Sequence, residues 1–322
     1  MKRVLRAGVV GAGVFGGHHA RKYGSLRGVR LAGVLDPHQE RAEALAGPLG
    51  AKVFDDIDQF LGAVDLVTIA SPASSHFEIA QAALDRGLHV YVEKPLADNA
   101  EDGHALVEAA RKAGVVLACG HQERAVFRAM GLFAIPERPT RLEAVRRGTF
   151  TGRSTDVSCV LDLMIHDIDL AMTLTPARVS EVRADSVIDA GPFADEARAR
   201  ITFADGMLAQ LEASRTAKRR ERTMRLVFPS GEVTIDFLAR SFTDTTPFHL
   251  NAGFAETAEG RDPLGASVAD FVAAVRGDLP RPVVTGEEAA RALEAALKVD
   301  GAAARPARVL RFPTRPALKA SN

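Results

Sequence analysis

The sequence predicts an α/β protein: a doubly wound parallel sheet, followed by an α+β domain with a large, mostly antiparallel open sheet. Two patterns support this fold class. Short apolar runs alternate with helical patterns up to residue 119, which is typical of βαβ units. After that, strand-like runs follow one another directly and are separated by hairpin turns at 204–206 and 229–231. We therefore expect two domains, at residues 1–120 and 121–322.

The strands of the first domain are predicted from apolar runs short enough to be buried, and its helices from Ala, Leu, Glu and Arg at helical spacing. Gly87 follows one of these helices, as is typical of a helix C-terminus. The predicted strands are 4–10, 29–35, 52–54, 64–70, 88–92 and 115–119; one helix contains Gly16, and the others are 39–49, 57–62, 77–86 and 100–113.

The second domain is predicted to begin with a helix and to end in two helices and a short strand. The basic run 218–222 is expected to be a solvated turn, because it lacks the interleaved aromatic residues of a nucleic-acid site. The predicted helices are 122–133, 158–173, 265–276 and 286–299, and the strands are 141–149, 179–188, 197–203, 207–214, 222–228, 231–237 and 308–312.

Composition excludes several classes of function. The 322 residues include 41 Lys and Arg and 41 Asp and Glu, so no net charge attracts nucleic acid or an anionic membrane. Cys119 and Cys159 lack metal-ligand spacing and suit a reducing compartment. No stretch approaches the roughly 18 apolar residues that span a bilayer. We expect a cytoplasmic protein without a metal, whose partners are small molecules or other subunits.

A glycine-rich turn follows the first predicted strand, with Gly11, Gly13 and Gly16 in the spacing G-x-G-x-x-G. The first glycine makes the tight turn, the second lets the backbone approach a pyrophosphate, and the third lets the helix pack on the strand. Free N–H groups at the start of the helix, around Val14 and Phe15, favour negative charge. The pattern predicts a dinucleotide site.

Asp36 ends the second predicted strand, where a carboxylate that binds the adenine ribose is expected. It would accept hydrogen bonds from both ribose hydroxyls and repel a 2′-phosphate. The nearest following arginine is Arg41, so NAD is preferred over NADP. Other strands end at the same edge of the sheet in Ser71, Glu93, Lys94 and His121.

Three further motifs accompany the glycine turn. Ser71-Pro72 with His76 follows one strand, Glu93-Lys94-Pro95 follows the next, and Asp162-x-x-x-His166 opens the second domain. Together they resemble the glucose–fructose oxidoreductase and inositol dehydrogenase (Gfo/Idh/MocA) family of NAD(P)-dependent sugar oxidoreductases. The resemblance implies a Rossmann domain, then an open-sheet domain that covers the active site and mediates oligomers. The cofactor-binding residues are then Gly11, Gly13, Val14, Phe15, Gly16, Asp36, Ser71, Pro72, His76, Glu93, Lys94 and Gln122.

Segments 120–124 and 161–169 are similar to the branch of this family that oxidises the 3-hydroxyl of UDP-N-acetylglucosamine. In that branch a pyridoxal-phosphate aminotransferase takes the 3-keto sugar, as in making 2,3-diamino sugars for the lipid A of lipopolysaccharide. The resemblance implies an NAD-dependent nucleotide-sugar dehydrogenase that forms a homodimer or homotetramer. Two alternatives stay open: a dehydrogenase or reductase of a free sugar or inositol, and a catalytically silent NAD-binding regulator.

Oxidising a secondary alcohol requires a proton acceptor, and histidine suits this role near neutral pH. His166 is the expected base, with Asp162 one helical turn earlier to orient it or to bind a substrate hydroxyl. Lys94 is expected to stabilise the developing alkoxide. On spacing alone, a polar contact between domains stays an alternative for this helix face, and an exposed loop stays an alternative for Arg124, Thr151 and Arg153. The expected substrate-binding residues are Lys94, Arg124, Thr151, Arg153, Asp162 and His166.

Overall fold

The structure is a computed structural model that describes residues 3–152 and 155–304. Its first sheet has six parallel strands, which confirms the predicted N-terminal architecture. The strands are β1 Leu5–Val10, β2 Val29–Leu35, β3 Lys52–Phe54, β4 Leu66–Ile69, β5 His89–Val92 and β6 Leu117–Cys119, in the spatial order β3-β2-β1-β4-β5-β6. The helices are α1 Val14–Ser25, α2 Gln39–Ala46, α3 Ile57–Ala63, α4 His76–Leu84 and α5 Ala100–Ala113.

The second sheet has seven strands and is antiparallel except for one pair, as the predicted open-sheet domain requires. Its strands are β7 Arg141–Arg147, β8 Val179–Val187, β9 Glu196–Phe203, β10 Leu208–Ser214, β11 Glu221–Phe228, β12 Gly231–Asp236 and β13 Ser241–Asp244. They lie in the order β13-β12-β11-β7-β10-β9-β8, and β7 and β10 are the parallel pair. The later helices are α6 Glu123–Met130, α7 Ile165–Leu174, α8 Ala258–Arg261, α9 Pro263–Val275 and α10 Gly286–Ala303.

The helices differ from the prediction at two places near the second sheet. The helix expected at 122–133 stops at Met130, because Gly131 has φ of +86° and ends the α-helix. The helix expected at 158–173 begins as a π-helical turn, Val160–Met164, before α7. β13 was not predicted, and the strand expected at 308–312 lies outside the described residues.

The second sheet has an inner face against helices and an outer face that carries charged residues. Alternate residues of a strand point to opposite faces. Leu142 and Ala144 of β7 lie on the inner face, where they are buried in one apolar cluster with residues of α7 and α10. On the outer face, Arg147 forms an ion pair with Glu212 of the neighbouring strand. The outer face is therefore the open side of the sheet.

The chain returns to the first domain after the second sheet. Val268 and Phe271 of α9 are buried with β1 and α1 residues, in the cluster that contains Val9 and Tyr23. The start of α10 packs on the other face of the parallel sheet. The chain passes from the first sheet to the second after the expected boundary at 120. Residues of the expected second domain, in α9 and α10, nevertheless pack into the hydrophobic core around the first sheet. Among the described residues, no helix is long and apolar enough to cross a membrane.

Candidate active site

Gly11 and Gly16 close the turn between β1 and α1 by backbone contact. Gly11 has φ of +93°, and a Cβ on it would lie 2.7 Å from the carbonyl oxygen of Ala70. A Cβ on Gly16 would lie 1.7 Å from the carbonyl oxygen of Gly11. Both positions therefore require glycine for the fold itself.

Gly13 has no such internal reason to be glycine. A Cβ there would meet no described atom within 4 Å, and Gly13 has an extended backbone. No described side chain caps α1, and Val14 and Phe15 are 52% and 41% exposed. The first N–H groups of the helix therefore face open space, which fits the approach of a pyrophosphate.

Asp36 is held at the edge of this turn. Its Oδ2 accepts a hydrogen bond of 2.6 Å from the Ala12 N–H, and its Oδ1 accepts one of 2.8 Å from the His38 N–H. The Asp36 side chain is 9% exposed. The carboxylate thus lies beside the predicted phosphate site, where a group that hydrogen-bonds the adenine ribose is expected.

Replacing Asp36 by Asn is expected to weaken NAD binding by roughly 10- to 100-fold, because hydrogen bonds to a charged group contribute about 1.5–3 kcal/mol. NADP binding should fall less, because the repulsion of its 2′-phosphate is removed. Fluorescence titration with both nucleotides measures the ratio of the two dissociation constants. An unchanged ratio in Asp36→Asn would contradict the role of Asp36 in cofactor choice.

The residues that follow β4 and β5 occupy two kinds of position. Ser71 is partly buried and Pro72 is exposed, so both are near enough to the surface to meet a ligand. His76 is 1% exposed, with Nδ1 2.7 Å from the Pro95 carbonyl oxygen and Nε2 3.0 Å from that of Ser71. His76 therefore joins the two loops and does not itself face a ligand. The peptide bond before Pro95 is cis, and Gln122 is partly buried at the start of α6.

Glu93 is buried against α1 and is only 8% exposed. Its Oε1 lies 2.6 Å from Nε2 of His19, a fully buried side chain. A Cβ on Gly120 would lie 2.5 Å from the other oxygen of Glu93. Burial opposes ionisation of Glu93, but the hydrogen bond with His19 and the nearby charges lower its pKa below the ordinary value. Glu93 thus couples the glycine-turn helix to the strand end that carries Lys94.

Lys94 and Asp162 form the first of two adjacent pairs of side chains, and this one is an ion pair. The Nζ of Lys94 donates hydrogen bonds of 2.7 Å to Oδ1 and to the carbonyl oxygen of Asp162. Asp162 lies in the π-helical turn before α7, a feature common at functional sites. Burial raises the pKa of Asp162, but the Lys94 ammonium outweighs this and the pKa lies below its ordinary value.

His166 and Glu123 form the second pair. The Nδ1 of His166 lies 2.8 Å from Oε2 of Glu123, which leaves Nε2 as the nitrogen that can meet a substrate. Arg146 donates a hydrogen bond of 2.9 Å to the other oxygen of Glu123, and it also binds Asp167. Burial opposes ionisation of Glu123, but the neighbouring His166 imidazole and Arg146 guanidinium hold its pKa well below the usual range.

The orienting role expected of Asp162 does not fit these contacts. Its carboxylate is bound to Lys94, because the π-helical turn directs it toward the end of β5. Glu123 is the carboxylate that contacts His166. The sequence carries Glu123 within 120–124, but only the packing of α6 beside α7 brings it to the histidine.

His121 is a second buried histidine in this region that was not assigned a role. Its ring centre lies 5.8 Å from that of His166, and neither ring nitrogen has a hydrogen-bond partner among the described residues. Burial lowers the pKa of His121 to about 4. His121 is therefore neutral near pH 7 and adds no charge beside His166.

The three other expected substrate residues are not equivalent. Arg124 is 4% exposed, and its guanidinium donates hydrogen bonds of 2.8 and 2.6 Å to Asp169 and forms an ion pair of 2.8 Å with Glu288. The substrate role expected of Arg124 does not fit these contacts, because its donors are committed to Asp169 and Glu288. Thr151 is exposed in the loop after β7, and Arg153 lies outside the described residues.

Replacing Arg124 by Ala is expected to lower the free energy of unfolding by about 3–5 kcal/mol, because it leaves the 1%-exposed Asp169 without its counter-ion. Urea denaturation measures this change. The matched control is Arg128→Ala, one turn later on α6, whose partly exposed ion pairs should contribute about 1 kcal/mol or less. An Arg124→Ala protein of unchanged stability with a raised KM would restore the substrate role.

The parallel sheet, the open glycine turn, the Lys94–Asp162 ion pair and the His166–Glu123 contact define a nicotinamide-dependent oxidoreductase. Residues 5–121 match the family model described as "Oxidoreductase family, NAD-binding Rossmann fold", and residues 133–234 match the Gfo/Idh/MocA C-terminal domain. The chain belongs to the Gfo/Idh/MocA family.

Two curated relatives and one solved structure illustrate the similarity. The chain is 36% identical over 311 residues to a UDP-N-acetylglucosamine 3-dehydrogenase from Acidithiobacillus ferrooxidans, covering 92% of this chain and 96% of that protein. A crystal form of the same enzyme superposes with a TM-score of 0.85, covering 94% of this chain and 98% of that one at 36% identity. A scyllo-inositol 2-dehydrogenase (NAD(+)) from Bacillus subtilis is 30% identical over 242 residues, which are 67% of this chain and 69% of that protein.

Proposed function

We propose that the protein oxidises the 3-hydroxyl of UDP-N-acetylglucosamine to the 3-keto sugar with NAD. The observation that carries the proposal is the pairing of Lys94 with Asp162 beside the pairing of His166 with Glu123. The similarity to the Acidithiobacillus enzyme over nearly the whole chain supports this substrate. NAD, when bound at the glycine turn, supplies the hydride acceptor.

The chain's own residues divide the proton chemistry between them. His166 accepts the hydroxyl proton at Nε2, while Glu123 contacts Nδ1 and stabilises the imidazolium that forms. The ammonium of Lys94 donates a hydrogen bond to the substrate oxygen and stabilises its developing negative charge. Asp162 holds Lys94 in place and is the candidate to bind a further sugar hydroxyl.

A free-sugar or inositol dehydrogenase is the second candidate, and the similarity to the inositol enzyme favours it. Both candidates use the same pairs and differ in whether the substrate carries a nucleotide. The silent regulator is disfavoured, since Lys94, Asp162 and His166 are all present and adjacent.

We further propose an oligomeric state, a following reaction and a location for this activity. The outer face of the second sheet joins copies of the chain into a homodimer or homotetramer. The keto sugar passes to a pyridoxal-phosphate aminotransferase that makes a 2,3-diamino sugar for lipid A. The oxidation and the amination both occur in the cytoplasm, whose reducing conditions suit the buried free thiols of Cys119 and Cys159.

Initial rates of NADH formation test the proposed substrate. The protein is assayed with UDP-N-acetylglucosamine, N-acetylglucosamine and myo-inositol, with and without glutamate and a sugar aminotransferase. Removal of the keto product should pull an unfavourable oxidation forward, so the amount of NADH formed from the UDP-sugar should be larger in the coupled assay. A signal with free sugar or inositol alone would keep the chemistry and replace the substrate.

A further inference from the structure

Arg222 lies on the inner face of the second sheet, at the end where Arg146 contacts Glu123. β7 and β11 pair antiparallel with Arg222 opposite Arg146. Residues directly opposite each other in such a pair share one face of the sheet, and Arg146 reaches Glu123 on that face. Two residues further along β11, Met224 is fully buried on the same face. Arg222 therefore lies in β11, as the predicted strand 222–228 has it, and not in the solvated turn expected of the basic run 218–222.

Arg222 is partly buried without a paired carboxylate. No carboxylate of the described residues lies within ion-pair distance of it, although Glu123 and Asp167 attract it from further away. Both oxygens of Asp167 accept hydrogen bonds from Arg146, and the Glu123 oxygens contact Arg146 and His166. Burial and the charge of Arg146 lower the pKa of Arg222 below its ordinary value.

Arginines on the outer face of the same strands differ in this respect. Arg147 of β7 is paired with Glu212, and Arg225 of β11 is paired with Glu232. The arginine side chains of these pairs are 34% and 35% exposed, and ion pairs that solvent reaches contribute little to stability. The unpaired arginine is thus on the side where desolvation makes it unfavourable without an anion.

The neighbouring backbone places a loop and a second cation beside Arg222. The Gly148 N–H donates to the carbonyl oxygen of Ser214, and the Ala217 N–H donates to that of Gly148. The loop that carries Thr151 therefore starts against the turn before β11. Arg220 lies in this turn and is exposed. Two arginines and a polar loop thus border the same end of the sheet.

We propose that Arg222 binds the diphosphate of the nucleotide-sugar substrate, an inference that rests on the proposed function. The guanidinium presents a planar set of donors that matches phosphate oxygens in a bidentate contact. Its position beside Arg146 puts this contact on the face where His166 meets the sugar. Arg222 thus takes the role that Arg124 does not fill.

The test is calorimetric titration of the NAD-loaded protein with UDP and with uridine, in the wild type and in Arg222→Met and Arg222→Lys. UDP binding is expected to weaken by roughly 10- to 100-fold in Arg222→Met. Arg222→Lys keeps the charge but not the fork, so its loss should be smaller. Uridine, which has no phosphate, should bind the three proteins equally. Arg219→Met, an exposed arginine of the same basic run, is the matched control and should bind UDP like the wild type.

Equal UDP affinity in the wild type and Arg222→Met would overturn the assignment, and so would a wild type that does not bind UDP. Thermal unfolding of each variant shows whether Arg222→Met is folded, and Arg222→Lys carries the comparison if it is not. Turnover of UDP-N-acetylglucosamine by the wild type is measured separately. Turnover together with unaffected UDP binding in Arg222→Met would leave the proposed function standing and remove only the role of Arg222.

Discussion

Replacing His166 by Asn is expected to lower kcat by roughly 10²- to 10⁴-fold, the range that a positioned general base contributes. The amide cannot accept the hydroxyl proton, while its size keeps the packing of α7. NAD binding should be unchanged, since His166 does not touch the glycine turn. Steady-state rates of NADH formation across pH measure the effect, and the limb of the pH profile that reports the base should disappear.

The matched control is His249→Asn, an exposed histidine far along the chain from His166 and Lys94, which should keep wild-type rates. A His166→Asn protein that retained kcat and its pH profile would show that another group accepts the proton. In that case the contact between Glu123 and His166 would be a structural link between α6 and α7.

Replacing Lys94 by Met is expected to lower kcat by roughly 10²- to 10³-fold, as does removing one donor that stabilises a developing oxyanion. The ammonium donates to Asp162 before substrate binds, so the change also leaves that carboxylate without its counter-ion. Initial rates with saturating NAD and substrate separate kcat from KM. Lys112→Met, on the surface of α5, is the control and should leave both constants unchanged.

A rise in KM with kcat intact would contradict this role of Lys94. That pattern would mean that Lys94 binds the ground state and the transition state equally. The combined Lys94→Met and Asp162→Asn protein separates the two effects, because it removes the uncompensated carboxylate. If its kcat recovered to the wild-type value, the single variant would have failed through the buried charge alone.

Local sequence signals predicted the elements that carry their own caps and turns. α5 has the predicted bounds because the Asn99 side chain accepts from the Asp102 N–H and Gly114 ends it with φ of +66°. The glycine spacing is equally local, since the contact of Gly16 with Gly11 lies within one strand–turn–helix unit, although Gly11 also packs against Ala70 after β4. Such features need no knowledge of the rest of the chain.

The missed features depend on contacts between distant elements. Glu123 reaches His166 only because α6 packs beside α7, and Arg222 joins the site only through the register of β7 and β11. Arg124 was expected to bind substrate, and its neighbours in sequence do not reveal that it is buried against Asp169. Helical spacing predicted that the Asp162 side chain points the same way as His166, whereas in the π-helical turn its carboxylate contacts Lys94.

In the proposed reaction, hydride leaves C3 of the sugar while His166 takes the hydroxyl proton. The most direct measurement uses UDP-N-acetylglucosamine deuterated at C3, with NAD and the sugar aminotransferase, and mass spectrometry of both products. Oxidation at C3 should place deuterium in the reduced cofactor and leave none at C3 of the aminated sugar. Reduced cofactor without deuterium would show that another carbon is oxidised. No reduced cofactor with any UDP-sugar would contradict the proposed function itself.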